Sequence, residues 1–219
     1  MRQTVLYPLA SQIDYTELKY SLRSIEKYLT PPFDVVVVGD TIPEWINNVT
    51  QIELGDAKGR PNYSVRRKVL AGLEYVDEFL FMNDDIYLLQ TSSFYFNYYS
   101  CGMLKTKGES GAKSLLKQLE CLNKPGRYYG HYPANVYKSG FQTSIEGFTN
   151  EVPIKSAFIN YYEFPSIEIA DCKIMTAKKP EEIREFIKDK PCFSTGQYSI
   201  KSCIPILDEL FSEPSIYEI

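Results

Sequence analysis

The residues best placed to do chemistry in this chain are Asn83-Asp84-Asp85. They follow four apolar residues, Phe79 to Met82, and precede another apolar run, Ile86 to Leu89. The first run reads as a short strand buried on both faces. Adjacent carboxylates on the lip of a core strand repel each other and resist desolvation, so something must offset them. Mg2+ or Mn2+ would do so, because hard cations prefer carboxylate oxygen and leave positions open for phosphate. The plain alternative is a solvated strand-end turn, for which Asn-Asp-Asp is ordinary chemistry. A second candidate is His131, the sole histidine, in the loop Arg127-Tyr128-Tyr129-Gly130-His131-Tyr132-Pro133. A lone histidine is more often structural, yet its ordinary pKa suits general-base work near neutral pH. The third is Arg66-Arg67-Lys68, in the first turn of an expected helix. Cations there oppose the helix dipole; they point either to a nearby anion such as a pyrophosphate or to solvated surface charge.

Regular elements must position these groups. Thr4 to Pro8 reads as a first strand that stops at proline. Asp14, with Glu17 three residues on, forms a capping-box pattern for a helix over Tyr15 to Tyr28, whose Leu18, Leu22, Ile25 and Leu29 recur at helical spacing. Thr30-Pro31-Pro32 ends it. Asp34 to Asp40, with four consecutive valines, is the clearest strand. Strand–helix–strand order predicts a parallel, doubly wound sheet. Ligands of such sheets sit beyond the carboxyl ends of the strands, which would include Gly39-Asp40 and Asn83-Asp84-Asp85. Ile42 to Ile46 reads as a turn and a short helical piece, Thr50 to Leu54 as a strand, and Gly55 to Asn62 as a polar loop. Ser64 is then an N-cap for a helix over Val65 to Tyr75.

Thr91 to Gly108 looks irregular, and Ser110 to Leu122 is a helix with leucines on one face. Pro153 to Tyr162 is a helix. Ser166 to Ala170, Cys172 to Met175 and Cys192 to Ser194 read as strands. Lys179-Pro180-Glu181-Glu182 opens one helix, and Ser202 to Phe211 forms the last.

The length of 219 residues fits a single domain with a sizeable core. A net charge of −4 argues against sequence-independent nucleic-acid binding. No apolar run reaches the ~20 residues of a membrane span, and no signal-peptide pattern opens the chain. Five cysteines without any C-x-x-C spacing indicate reduced thiols in a cytoplasmic protein.

In blocks spread over most of the chain, the sequence resembles the Stealth family of nucleotide-sugar transferases. Leu18 to Tyr28 is similar to that family's first-helix segment, and Val35 to Val38 with Ile42-Pro43-Glu44-Trp45 to its second strand and P-x-W turn. Phe79-Leu80-Phe81-Met82-Asn83-Asp84-Asp85 resembles its strand-end N-D-D signature, the most specific block. His131-Tyr132-Pro133 resembles its H-x-P block, and Phe211 to Glu218 its terminal F-x-x-P-S-x-F-E block. The chain departs from the pattern in four places: two missing carboxylates, an arginine-rich block represented at best by Lys155, and a helix that carries Arg66-Arg67-Lys68 where the family has a different pattern. Val5-Leu6-Tyr7-Pro8-Leu9 lacks the aspartate of the family's first block, and Cys192-Phe193-Ser194-Thr195-Gly196 lacks a late carboxylate.

The resemblance implies an α/β fold of GT-A-like (Rossmann-like) type, a mostly parallel sheet flanked by helices. It implies metal-dependent transfer of a sugar or sugar-1-phosphate from a nucleotide-sugar donor to a hydroxyl of a saccharide acceptor. Asp85 would be the metal ligand, with Asp84 sharing that role or contacting the ribose or acceptor, and His131 would be the general base. Asn83 would hydrogen-bond nearby, Arg66, Arg67 and Lys68 would offset phosphate charge, and Lys155 stands for an arginine-rich block. Asp40 would meet the nucleoside or simply cap a turn, while Lys58 and Arg60 would close over the donor. Two other readings remain: a non-catalytic glycan- or nucleotide-binding domain that kept the fold, and a structural module whose Asn-Asp-Asp is only a turn.

Overall fold

Side chains alternate along three apolar runs at the centre of the molecule, and both faces of each run are covered. The computed structural model describes residues 3–11, 14–30, 32–93, 95–105 and 111–219. The strands in chain order are β1 (Gln3–Pro8), β2 (Leu29–Thr30), β3 (Phe33–Gly39), β4 (Thr50–Glu53), β5 (Glu78–Phe81), β6 (Ile86–Leu88), β7 (Ser92–Ser93), β8 (Tyr98–Ser100), β9 (Ala134–Tyr137), β10 (Ser166–Glu168), β11 (Lys173–Ile174) and β12 (Cys192–Thr195). The helices are α1 (Thr16–Tyr28), α2 (Pro61–Leu73), α3 (Ala112–Cys121), α4 (Lys138–Glu146), α5 (Ile154–Tyr162), α6 (Pro180–Ile187) and α7 (Ile200–Leu210).

The main sheet has the order β4-β3-β1-β5-β9. Its first four strands are parallel, and β9 runs antiparallel on the edge beside β5. Leu6 lies opposite Val36 on one side and Phe81 on the other. With Val38 and Phe79, these residues pack on Val69 and Leu73 of α2. The alternate set, Val5, Tyr7, Val35, Val37 and Leu80, packs on Leu18, Leu22 and Ile25 of α1. Each apolar side chain so buried contributes about 1.5–3 kcal/mol, which is why these strands lack a polar face. Close packing of α2 on β1 depends on Gly72, where a Cβ would stand 1.9 Å from Leu6 Cδ1. The chain passes from β1 through α1 to β3 on one side, and from β4 through α2 to β5 on the other. The switch point therefore falls between β1 and β5, where such sheets open a crevice.

A second sheet, β11-β12-β6, starts immediately after Asp85 and packs with α6 and α7 around Tyr87, Ile183, Phe193 and Leu207. β6 lies on α1, whose Ser21 donates to the Ile86 carbonyl at 2.6 Å while Ser24 accepts from the Leu88 N–H at 3.0 Å. These two buried hydroxyls satisfy polar backbone groups of β6. β10 pairs with β8, and β2 with β7. Residues 211–218 fold back on α1, where Arg23 makes a two-pronged pair with Glu218 at 2.6 and 2.7 Å and donates to the Phe211 carbonyl at 2.8 Å.

Several expected boundaries shift. α2 begins at Pro61, one turn before Ser64, so Arg66, Arg67 and Lys68 sit beyond its first turn and do not oppose the dipole there. Ser64 is buried inside the helix and accepts from the Ala57 N–H. Asp14 accepts from the Thr16 N–H, but Glu17 does not close a capping box, because Thr195 Oγ1 donates to it at 2.6 Å. Ile46 pairs with Glu218 in an isolated bridge, in place of the expected helical piece. The stretch read as irregular contains β7 and β8, and both β9 and α4 went unread. Pro31 and Ser110, the expected helix stop and start, lie outside the described residues, as do residues 94 and 106–108 of the stretch read as irregular. Among the described residues no helix is long and apolar enough to cross a membrane.

Candidate functional site

The carboxyl ends of β1 and β5 lie near the start of α2, and two cavities lie around that start, with Val65 in the wall of both. The first, of about 280 Å³, is bounded by Pro8 at the end of β1 and Ala10 after it, by Asp56, Lys58 and Arg60 in the loop before α2, and by Lys68. The second, of about 200 Å³, is bounded by Asn83 after β5, by Tyr128 and His131, and by Lys155 at the start of α5. Proline at the first position of α2 opens the helix there because it needs no N–H partner.

Lys68 is almost fully buried. Its ammonium donates to the Leu9 carbonyl and to Asp56 Oδ1, each at 2.5 Å. Burial pushes the Asp56 carboxyl up, but Lys68 and the Ser11 N–H outweigh it and leave that group below its ordinary range. Lys68 thus ties the chain leaving β1 to the loop before α2. Arg60 pairs with Glu151 at 2.5 Å and lies over the Tyr63 ring. Arg66 donates to the Phe148 carbonyl and Arg67 to the Gly55 carbonyl, and neither bounds the two cavities. Asp40, exposed after β3, accepts from Ser11 Oγ at 3.5 Å.

At the end of β5 the register of the second sheet assembles the acid site. Lys173 lies opposite Ser194, which lies opposite Ile86, next to Asp85. Asp85 Oδ2 accepts from Lys173 Nζ at 2.9 Å and from Ser194 Oγ at 3.0 Å. Its Oδ1 is buried with no hydrogen-bond partner among the described residues. Nearby, burial and the Asp85 charge raise the Glu17 carboxyl above its ordinary value. The chemistry of this donor set fits a hard cation in one respect: a buried carboxylate oxygen keeps its lone pairs unmet beside a second carboxylate, Asp84. Mg2+ commonly takes one or two carboxylates and completes its shell with phosphate and water. Among the described residues no group of three or more His, Cys, Asp or Glu side chains is gathered to hold a metal.

His131 meets a partner that its sequence context did not mark. Its Nδ1 lies 3.1 and 3.2 Å from the two carboxylate oxygens of Asp171. Burial pushes the Asp171 carboxyl up, but the His131 ring and the N–H groups of Lys173 and Cys172 more than reverse this, leaving it below the usual carboxylate range. The Cys172 thiol donates to the His131 carbonyl at 3.0 Å. Lys155 is buried in the wall of the same cavity. It donates to the Tyr132 carbonyl at 2.6 Å and sits over the Phe81 ring, and burial lowers its ammonium to about 8.

Of the expected site residues, the structure gathers Asn83, His131 and Lys155 around one cavity and Arg60 and Lys68 around the other. Asp84 and Asp85 stand at the strand end, while Arg66, Arg67 and Asp40 lie apart. Sequence reading missed Asp171, Lys173 and Ser194. Asp171 falls between two short strand patterns, Lys173 inside the second of them and Ser194 inside a third, with nothing local that marks their partners.

No protein-family model matches the chain, and no curated protein does. One solved structure with similarity to it is a glycosyltransferase involved in the glycosylation of the major capsid of PBCV-1, at 11% identity and a TM-score of 0.47, covering 95% of this chain and 100% of that one. At that level of similarity no function passes from one chain to the other.

Proposed function

We propose that this chain is a nucleotide-sugar transferase that moves a sugar or sugar-1-phosphate onto a hydroxyl of a saccharide acceptor. The observation that carries this reading is His131, paired with Asp171 and in the wall of a cavity it shares with Asn83, at the carboxyl end of β5 in a mostly parallel sheet. The donor's nucleotide would occupy the cavity between the end of β1 and the start of α2, with Lys58 and Arg60 beside its phosphates and Asp40 near the nucleoside. The acceptor hydroxyl would give its proton to His131 as its oxygen attacks. In glycosyl transfer the attack is on the anomeric carbon, its bond to the pyrophosphate oxygen breaks, and nucleoside diphosphate leaves. In sugar-1-phosphate transfer the attack is on the sugar-bearing phosphorus, the P–O–P bridge breaks, and nucleoside monophosphate leaves. The resemblance of the Asn83-Asp84-Asp85 and His131-Tyr132-Pro133 blocks to the Stealth family favours the second. Mg2+ or Mn2+, held by Asp85 through Oδ1 with Asp84 beside it, would neutralise the charge of the donor pyrophosphate.

A second reading is favoured by one observation: Asp85 already carries a cation, Lys173. A binding domain that no longer turns over would keep such an internal pair. Thermal shifts with a panel of nucleotide sugars, with and without Mn2+, separate the two. The transferase predicts a metal-dependent rise for one nucleotide class that Asp85→Ala removes. A metal-independent rise would favour the binding domain, and no rise with any donor would remove both.

A further inference from the structure

One short segment, Asp171-Cys172-Lys173, reaches both halves of the site. Asp171 meets His131 Nδ1, the Cys172 thiol meets the His131 carbonyl, and Lys173 meets Asp85. The segment is itself held by the sheet, since Lys173 pairs with Ser194, and the Ser194 N–H donates to the Cys172 carbonyl at 3.0 Å. Asp171 is further fixed by the N–H of Lys173 at 3.3 Å. The orientation of the imidazole is therefore set from outside its own loop.

A neutral imidazole carries one proton, and the hydrogen bond made by one ring nitrogen decides where that proton sits. A carboxylate can only accept, so Asp171 against Nδ1 requires the proton there. The other nitrogen, Nε2, has no hydrogen-bond partner among the described residues, and the ring stands in the wall of the 200 Å³ cavity. We infer that Asp171 is the positioning residue of His131: it fixes the Nδ1–H tautomer and so leaves Nε2 as the proton acceptor toward the cavity. The inference rests on the reading of His131 as general base. When Nε2 takes a proton from an acceptor hydroxyl, the ring becomes a cation, and the Asp171 carboxylate 3.1 Å away offsets that charge. A group that held His131 only as packing would need no carboxylate at this point, since an amide or a backbone carbonyl satisfies one ring N–H equally well.

Because His131 is the sole histidine of the chain, its tautomer can be read without assignment. Protein labelled with 15N at the imidazole is examined by long-range proton–nitrogen correlation, at a pH where the same titration shows the ring to be neutral. The wild type is expected to show a single Nδ1–H tautomer with an unprotonated Nε2. Asp171→Asn can donate as well as accept, and is expected to give a mixture or the opposite tautomer, whereas Cys172→Ala is expected to keep the wild-type pattern. An Nε2–H tautomer in the wild type overturns the inference, and so does an unchanged pattern in folded Asp171→Asn. The wild-type spectrum decides by itself if the variant fails to fold. Neither result depends on a donor or on turnover, so the inference and the transferase reading can fail separately.

Discussion

Two ion pairs built on nearly parallel plans behave differently in this molecule. Arg23 and Glu218 join α1 to the 211–218 segment with both side chains only 8% exposed, and every prong is used. Two guanidinium nitrogens meet the two carboxylate oxygens, a third meets the Phe211 carbonyl, and Ser215 donates to Glu218 through both its N–H and its hydroxyl. Lys173 and Asp85 join the second sheet to the end of β5, yet one carboxylate oxygen is buried and unmet among the described residues. A structural pair completes its hydrogen bonds because an unmet buried acceptor costs about 1–3 kcal/mol. The unmet Asp85 oxygen is one of four such buried atoms among the described residues, with Gln3 Oε1, Glu78 Oε1 and Ser100 Oγ, and it is the one that a cation would meet under the proposed function.

The largest expected effect comes from breaking the satisfied pair. Arg23→Met should lower stability by about 3 kcal/mol, because Glu218 loses both guanidinium bonds and keeps only Ser215 and the Lys19 ammonium at 3.7 Å. Chemical denaturation checks this, and added Mn2+ should not restore the loss. Lys173→Met should cost less, about 1–2 kcal/mol, because the Asp85 pair is less deeply buried and Ser194 remains. Here Mn2+ should recover part of the loss by meeting the vacated charge. If Mn2+ rescues neither variant, the contrast between the two pairs fails.

pH sharpens the same contrast. Burial raises the Glu218 carboxyl, but Arg23 and Ser215 outweigh it, so the folded value lies below the ordinary glutamate value of about 4.3. A depressed carboxylate contributes stability that is fully present above its unfolded pKa and is lost as pH falls through the folded one. Glu218→Gln should therefore flatten the acid limb of the stability curve below pH ~4.3. An effect of the same sign, in a higher pH window, belongs to Lys155, whose ammonium is lowered by burial to about 8. Between pH 8 and the unfolded lysine value of ~10.4, the unfolded chain binds the extra proton, so this group favours folding more as pH rises. The stability difference between wild type and Lys155→Met should move toward the wild type over that window. A flat difference would mean that the amine is not desolvated.

Much of the frame was legible in the sequence. Four valines from Val35 to Val38 and the run Phe79 to Met82 could only be strands covered on both faces, and the placement of Asp40 and Asn83-Asp84-Asp85 after them follows from parallel topology. What could not be read were features decided by tertiary pairing. Ser21 and Ser24 look like surface residues of an amphipathic helix, yet they complete the backbone of β6. Lys68 looks like a free cation, but its length lets it reach the Leu9 carbonyl and Asp56 from inside α2. Asp171 and Lys173 lie in a segment of little local pattern, and only the β11-β12-β6 register carries them to His131 and Asp85. Distance along the chain hid the partners, while residue type had already exposed the two groups they serve.

Nucleotide release separates a working His131 base from an inert ring. Wild type and His131→Ala are incubated with a panel of nucleotide sugars, Mn2+ and simple saccharide acceptors, and the freed nucleotide is identified. The wild type is expected to release nucleotide from one class, as monophosphate for sugar-phosphate transfer or diphosphate for glycosyl transfer, with a fall of about 10²–10⁴-fold in His131→Ala. No release by the wild type, or equal release by His131→Ala, would contradict the proposed function.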